Sequence, residues 1–400
     1  MNHDVVIVSG IRTPFGKFGG SLKDSSTIDL SAIVMDSVLK KAGISHQTVQ
    51  EVNWGVCSQA EADEVLAPVI ARQALLKAGL PDTTISMTID QACCSGMAAV
   101  KHSYLSVRRG DVTVSLGGGA EVMSRTPMVI RPLRWGNRLG DVVIRDPADG
   151  LRYFDYNLVS LDAAEVAMEY GISREEQDEW AYRSQQNWLK AFKEKKFEDE
   201  IVPITTLTDK RVFAVDEFPR PDTTIEKLAA LPTVFGSPSI TAGNAPGLND
   251  GAAVLLLMNR KEVEKRQLKS LATIVCTASV ATAPRQIASV PALAIQKALC
   301  QSKLSIDDMK LFEINEAFSA VPLVSSLILG GENRERMLQI RERVNVNGGA
   351  IAIGHPVGAS GARILLTLIH ELRRRGGGYG VASICGGLAQ AEAIIVKVDD

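Results

Sequence analysis

Residues 31–55 (SAIVMDSVLKKAGISHQTVQEVNWG) and residues 291–315 (PALAIQKALCQSKLSIDDMKLFEIN) align without a gap at a constant offset of 260. Ile33 meets Leu293, Leu39 meets Leu299, Ile44 meets Leu304, Ser45 meets Ser305 and Val52 meets Phe312. In the first copy Ile33, Val34, Val38 and Leu39 predict a helix over 30–41 that ends at Gly43; a capping serine and a short apolar strand follow. A second match keeps the same order at an offset of 265. Ser95-Gly96 precedes a helix predicted over 97–108 that ends at Arg108-Arg109-Gly110, and Ser360-Gly361 opens one that ends at Arg374-Arg375-Gly376. Strands ending in paired glycines come next in both places. Any two strand–helix–strand units look alike, but two matches in one order at nearly one offset point to duplication.

Outward from the repeat, the apolar run Val5-Val6-Ile7-Val8 reads as a first strand, and 112–116 as another, broken by Gly117-Gly118-Gly119. Strands alternating with helices imply an α/β fold with a mostly parallel, buried sheet. The middle of the chain departs from this rhythm. It carries Arg131, Arg134, Arg138 and Arg145, then a capping box, Ser173-Arg174-Glu175-Glu176, opening a helix with Trp180, Trp188 and Phe192 on one face. These aromatics predict the core of a small inserted domain. The arginines suit a solvated face, a subunit contact or a phosphate-attracting rim. The expected division is residues 1–121 as one half, completed by 248–270; an insertion over 122–247; and a second half over 271–400.

The chain has 400 residues, 46 % of them apolar and 22 % charged, with a net charge of −2. That length implies two or three domains and a core that needs no disulfide or metal. The balance excludes wholesale disorder and argues against a dedicated nucleic-acid or anionic-membrane binder. The apolar run at the N-terminus is too short for a secretory signal, and no stretch reads as a membrane span. Six cysteines without a C-x-x-C pair or a Cys/His ladder fit a reducing cytoplasm and argue against a zinc site.

Chemistry is carried by small clusters. In Asp90-Gln91-Ala92-Cys93-Cys94-Ser95-Gly96-Met97 a cysteine pair precedes a helix, whose N-terminal N–H groups and dipole favour thiolate; the alternative is a buried small hydrophobe. Gly354-His355-Pro356-Val357-Gly358 places a histidine in a glycine-rich turn, with Pro356 biasing it toward extended backbone. His3, His46, His102 and His370 read as exposed or helix-surface. Ser383-Ile384-Cys385-Gly386-Gly387 ends a strand with a second candidate thiol and N–H groups that could face an anion. Asn315-Glu316-Ala317-Phe318 closes a strand predicted over 311–314, where parallel sheets place polar site residues. Two thiols, one imidazole and one amide suit a two-stage reaction: one thiolate, activated by histidine, holds an acyl group, and the other thiol moves a proton at a weakly acidic carbon. The glycines at 117–119, 348–349, 354–361 and 386–387 are expected where backbone approaches a thioester.

This set resembles the thiolase family along essentially the whole chain. The likeness runs from Arg12-Thr13-Pro14-Phe15-Gly16 through Cys93-x-Ser95-Gly96, Gly118-Gly119-Ala120-Glu121 and Ala242-Gly243-Asn244-Ala245-Pro246-Gly247-Leu248-Asn249-Asp250 to Asn315–Phe318, Gly354-His355-Pro356 and Cys385-Gly386-Gly387. The resemblance implies duplicated βαβαβαββ halves in a five-layer α-β-α-β-α core with an inserted loop domain, assembled as a homodimer or homotetramer. It implies coenzyme A and acyl-CoA as substrates, with no covalently bound cofactor and no metal. Residue by residue, it makes Cys93 the acylated nucleophile, His355 its activator and Cys385 the acid/base. Asn315 would hold a water that shares one oxyanion hole with His355, and the N–H groups of Cys93 and Gly387 would form another. Glu316 would orient that water or Cys385. Arg220 falls near a position contacting the CoA nucleotide, and Phe235 and Phe318 would line the pantetheine tunnel beside Ala245 and Pro246.

The departures are local. Asp90 stands where many members have Asn, and Cys94, where they have Gly or Ala, is a rival nucleophile. Pro246 replaces a serine near the CoA arm. Leu158-Val159-Ser160 replaces a His-Met-Gly, which reshapes or widens the acyl pocket at Val159. The expected activity is thiolytic cleavage of 3-oxoacyl-CoA or the reverse Claisen condensation. Alternatives are an atypical bulky, branched or aromatic substrate, an accessory subunit, a condensing enzyme of the fatty-acid synthase type, and a non-catalytic acyl- or lipid-binding protein.

Overall fold

A computed structural model describes residues 4–58, 67–130, 133–149, 153 and 155–399. The first repeat runs β1 (Val5–Arg12), α1 (Thr27–Ala42), β2 (Glu51–Gly55), α2 (Ile70–Lys77), β3 (Ile85–Ile89), α3 (Ser95–Arg109) and β4 (Val114–Val122). Helices α4 (Val159–Glu169) and α5 (Arg174–Lys193) intervene before β5 (Asn249–Asn259). The second repeat runs β6 (Ala272–Ala281), α6 (Val290–Ser302), β7 (Met309–Ile314), α7 (Ala320–Leu329), α8 (Arg334–Arg341), α9 (Val357–Arg374), β8 (Gly378–Gly386) and β9 (Gln390–Val398).

Strand pairing makes the duplication explicit. The sheet order is β7-β8-β9-β6-β1-β5-β4-β2-β3. In the first repeat β2 runs parallel to β4, β4 antiparallel to β5, and β5 antiparallel to β1. In the second, β7 runs parallel to β8, β8 antiparallel to β9, and β9 antiparallel to β6. The repeats differ in two places: α4 and α5 are inserted between β4 and β5, against a tight hairpin between β8 and β9, and the edge strand β3 has no counterpart among the strands of the second repeat. The repeats join through a short pairing, Val6 with Thr273 and Ile7 with Ala272.

The strands of each repeat act as one sheet, a first (β1–β5) and a second (β6–β9), and three apolar cores lie between these and the helix layers, the middle core reaching both sheets. Leu30, Val34 and Leu39 of α1 and Leu75 of α2 cover one face of the first sheet around Trp54 and Leu116. Met97 and Val100 of α3 and Ile364, Leu365 and Leu368 of α9 form the middle layer between the sheets. Ile295 of α6 and Leu323 of α7 cover the far face of the second sheet around Phe312 and Ile314. Helix α1 begins at Ser26, whose side chain accepts from Asp29 N–H, and ends at Gly43 in the left-handed region, φ 66°.

Two expectations are corrected. Glycines 117–119 do not break a strand; they lie inside β4. A Cβ at Gly117 would meet Val100, and one at Gly119 would collide with Gly358 O. Gly96 and Gly361 likewise sit where α3 and α9 cross, since a Cβ on either would strike the other helix. Most of the glycine clusters therefore let backbone meet backbone in the middle layer, and only Gly386 and Gly387 among them line the main cavity. The α5 aromatics do not make a separate core either. Trp180 joins the far core and Trp188 the middle one, while Phe192, stacked on Trp188, is 41 % exposed.

Candidate active site

Cys93 stands on a strained turn just before α3. Ala92 adopts φ 48°, a left-handed conformation that costs a side-chain-bearing residue ~1–3 kcal/mol. Four contacts hold it. Asp90 Oδ1 accepts from Ala92 N–H at 3.0 Å, and Ser95 Oγ accepts from Gln91 N–H at 2.8 Å. Ser95 Oγ and Cys57 Sγ both donate to Ala92 O, at 2.6 and 3.0 Å. Cys94 is buried, its Sγ donating to Ile384 O at 3.2 Å, and it does not line the cavity that Cys93 faces. Burial pushes the Cys93 thiol up to about 12. The expected thiolate is thus overridden: the helix end supplies ~0.3–1 kcal/mol, less than desolvation of a sulfur anion removes.

His355 is fixed at three points. Its N–H donates to Asn249 Oδ1 at 2.8 Å, Nδ1 lies 2.6 Å from Ser360 Oγ, and Nε2 lies 3.4 Å from Asn315 Nδ2. Ser360 Oγ donates its own proton to Pro356 O at 2.8 Å, so Nδ1–H is the donor to Ser360. This assignment, made from the hydrogen-bond network, leaves Nε2 unprotonated, its lone pair accepting from Asn315 Nδ2. Burial, assisted by the charge of Arg363, holds His355 down at about 3, so the imidazole is neutral. Gly354, at φ 108°, lies where a Cβ would strike the Asn249 amide, so it has to be glycine for Asn249 to reach His355.

A cavity of about 510 Å³ brings the predicted residues together. Cys93, His355, Cys385 and Gly387 line it, along with Val159, Arg220, Phe235, Ala245, Pro246 and Phe318. Cys385 ends β8 and is fully buried; burial first, then the neighbouring Cys93, raises its thiol well above the ordinary range. Toward Arg220 the lining adjoins an outer depression that includes Asp222, Thr223 and Lys227. The Arg220 guanidinium stands 5.4 Å over the Phe218 ring, and Phe235 is 52 % exposed.

Asn315 and Glu316 lie behind this lining. Asn315 reaches His355 as above, and its buried Oδ1 has no partner among the described residues. Glu316 touches neither thiol. Its Oε1 accepts from Trp180 Nε1 at 3.0 Å and Asn345 Nδ2 at 2.9 Å, and its Oε2 from Ser184 Oγ at 2.8 Å and Ile351 N–H at 3.1 Å. All these bonds go to the scaffold of α5 and to the chain leading to His355, and none reaches Cys385 or Asn315.

Other residues were missed or misread. Asn249 and Ser360, which position His355, lay inside quoted motifs but carried no sign of that role. Asp149 and Tyr153 line the cavity without any sequence signal, and Met123, in the stretch Gly118–Ser124 that resembles the family, carried no sign of this position. His370 is 8 % exposed, not helix-surface, and burial depresses it to about 4. Arg134, Arg138 and Arg145 are exposed and outside the cavity lining; Arg131 and His3 fall outside the described residues.

Duplicated α/β layers around a thiol-and-imidazole cavity define a class of acyl-handling enzyme. A model of the thiolase N-terminal domain matches residues 5–261, and one of the thiolase C-terminal domain matches 268–398. The chain belongs to the thiolase family. It is 41 % identical over 399 residues to the acetyl-CoA acetyltransferase of Escherichia coli (strain K12), covering 98 % of both chains. It is 38 % identical to the beta-ketoadipyl-CoA thiolase of Pseudomonas aeruginosa, over 99 % of this chain and 100 % of the relative. The crystal structure of human mitochondrial 3-ketoacyl-CoA thiolase superposes with a TM-score of 0.94 at 38 % identity, covering 100 % of this chain and 99 % of that one.

Proposed function

We propose that the chain is a CoA-dependent thiolase that transfers acyl groups through a cysteine acyl-enzyme. The convergence of Cys93, His355 and Cys385 on one cavity carries this reading. Cys93 Sγ attacks the thioester carbonyl and its proton passes to His355 Nε2; the departing CoA sulfur takes the Cys385 proton. The acyl group is now on Cys93, opposite a Cys385 thiolate and an imidazolium. Cys385 then removes the α-proton of an acyl-CoA, the carbanion attacks the acyl carbonyl, and Cys93 leaves with the proton from His355. All three groups return to their resting protonation, and thiolysis is the same sequence reversed. A thiol weakened as an acid by burial is a strong base once ionised, which suits a weakly acidic carbon. The N–H groups of Cys93 and Gly387, and Asn315 with a water and His355, are the oxyanion donors in this scheme.

Thiolysis of a 3-oxoacyl-CoA is the favourable direction and the default. Arg220, Phe235, Phe318, Ala245 and Pro246 would hold the CoA arm. A homodimer is supported by the outer edge of β3, on which no further strand pairs among the described residues and where Ile85 is 59 % and Met87 48 % exposed; unpaired edges of this kind invite a second strand. Six free thiols support a reducing compartment such as the cytoplasm. The halves would be residues 1–121 with 248–270, and 271–400, with 122–247 inserted. The test is mass spectrometry of peptides after incubation with acetyl-CoA. An acyl mark on Cys93 that survives Cys385→Ala, with carbon–carbon chemistry lost, is expected; absence of any acylated cysteine would overturn the reading.

A further inference from the structure

The sequence pattern left the acyl end of the cavity open, with the small residues Val159 and Ser160 on its wall. The structure fills that end. Tyr153 lines the same cavity as Cys93, His355 and Cys385, and its ring points at Gly387: a Cβ there would collide with the Tyr153 hydroxyl and crowd Cζ. Residue 387 must therefore be glycine for the phenol to stand where it does. Among the described residues the phenol makes no hydrogen bond, so packing sets its position.

Direction follows from its neighbours. The outward end of the cavity is marked by Arg220, shared with the depression that holds Asp222 and Lys227. Tyr153 is at the thiol end: its hydroxyl stands against Gly387, two residues beyond Cys385. Burial, then the neighbouring Cys93, keeps the phenol neutral. A thioester entering from the Arg220 end would bring its acyl group to the thiols, beside the ring that stands against Gly387.

We propose that Tyr153 is a specificity-determining residue whose ring, held against Gly387, closes the acyl end of the cavity and restricts the enzyme to short 3-oxoacyl-CoA substrates. The inference rests on the thiolase reading and names its substrate class. The wall is the ring, so removing the hydroxyl alone leaves it standing. Truncating the ring opens more room than one methylene, and a single methylene already discriminates by roughly 10- to 200-fold.

The experiment measures kcat/KM for CoA-dependent cleavage of four-carbon and eight-carbon 3-oxoacyl-CoA by wild type, Tyr153→Phe and Tyr153→Ala, with Tyr153→Leu as a second truncation if the alanine variant does not fold. The expected result is an eight-to-four-carbon ratio raised by about tenfold or more in the truncations and by less than about threefold in the phenylalanine variant. An unchanged ratio in a folded truncation that still cleaves the four-carbon substrate overturns the assignment and leaves the thiolase reading intact. A wild type that cleaves neither thioester overturns the thiolase reading, and Tyr153 with it.

Discussion

His355, two residues ahead of α9, and Ser360, within the start of that helix, share a hydrogen bond of 2.6 Å in which the imidazole Nδ1–H donates to a hydroxyl already committed to Pro356 O. Ser360 is the counterpart of Ser95 in the duplicated half, and Ser95 does the same work at the other thiol-bearing turn by donating to Ala92 O. One inherited serine thus positions the base and the other the nucleophile. Ser360→Ala removes the acceptor that fixes the tautomer. A hydrogen bond to a group that becomes charged is worth ~1.5–3 kcal/mol, so kcat should fall on the order of 10- to 100-fold with KM little changed. Steady-state kinetics and the burst of acyl-enzyme check this; an unaltered kcat would show that Asn249 and Asn315 suffice.

Glu316 separates scaffold from chemistry. Glu316→Ala would strand the Trp180 indole N–H, the Asn345 amide, the Ser184 hydroxyl and the Ile351 N–H in the interior, at ~1–3 kcal/mol for each group left unpaired. The variant is expected to lose several degrees or more of Tm, or to fail to fold, and Glu316→Gln to be intermediate. Differential scanning calorimetry decides it. A variant with wild-type Tm that acylates Cys93 yet makes no carbon–carbon bond would assign Glu316 the orienting role instead.

The neighbouring thiol gives a cleaner contrast. Cys94 sits against Ile384 O and the backbone of Gly386 with no access to the cavity. Cys94→Ala should cost ~1 kcal/mol of stability through lost packing, leave the acyl mark on Cys93, and keep turnover near wild type. Peptide mapping after reaction with acetyl-CoA would expose the opposite assignment by finding the mark on Cys94.

Much of the fold and site could be read before any coordinates, because the information was local and repeated. Helix, cap and strand recur at one offset, and each chemical group sits at a strand or helix end with its own short signature. What escaped depended on contacts between distant segments. Gly117 to Gly119 look like a strand break locally, yet a Cβ at Gly117 would meet α3, one at Gly118 the neighbouring strand β5, and one at Gly119 the start of α9. The helix end beside Cys93 favours thiolate, but burial against the middle core, to which both halves contribute, reverses this. Glu316 follows Asn315 directly, and the chain turns so that one reaches His355 while the other faces α5. Tyr153 has no periodic neighbours at all; its position is legible only against Gly387, more than two hundred residues away.

His370 supplies the last prediction, and its sign can be worked out. Burial, with Lys41 and Arg374 adding to it and Glu200 and Asp199 opposing, lowers its folded-state value to about 4, below the ordinary 6.5 of the unfolded chain. Between those values the unfolded chain binds a proton that the native state refuses, so stability is full above about pH 6.5 and falls as pH drops toward 4. His355 adds a loss of the same sign, continuing down to about 3. His370→Leu replaces the buried imidazole, whose Nε2 has no partner among the described residues, with an apolar group. It should remove up to one proton from the linkage, flattening the acid slope by ~1.4 kcal/mol per pH unit at most. Urea unfolding at pH 7 and pH 5 measures the slope directly: wild type should lose more stability than the variant on acidification. Equal losses would mean that His370 is hydrated and charged in the native state, and that His355 and the carboxylates alone set the acid limb.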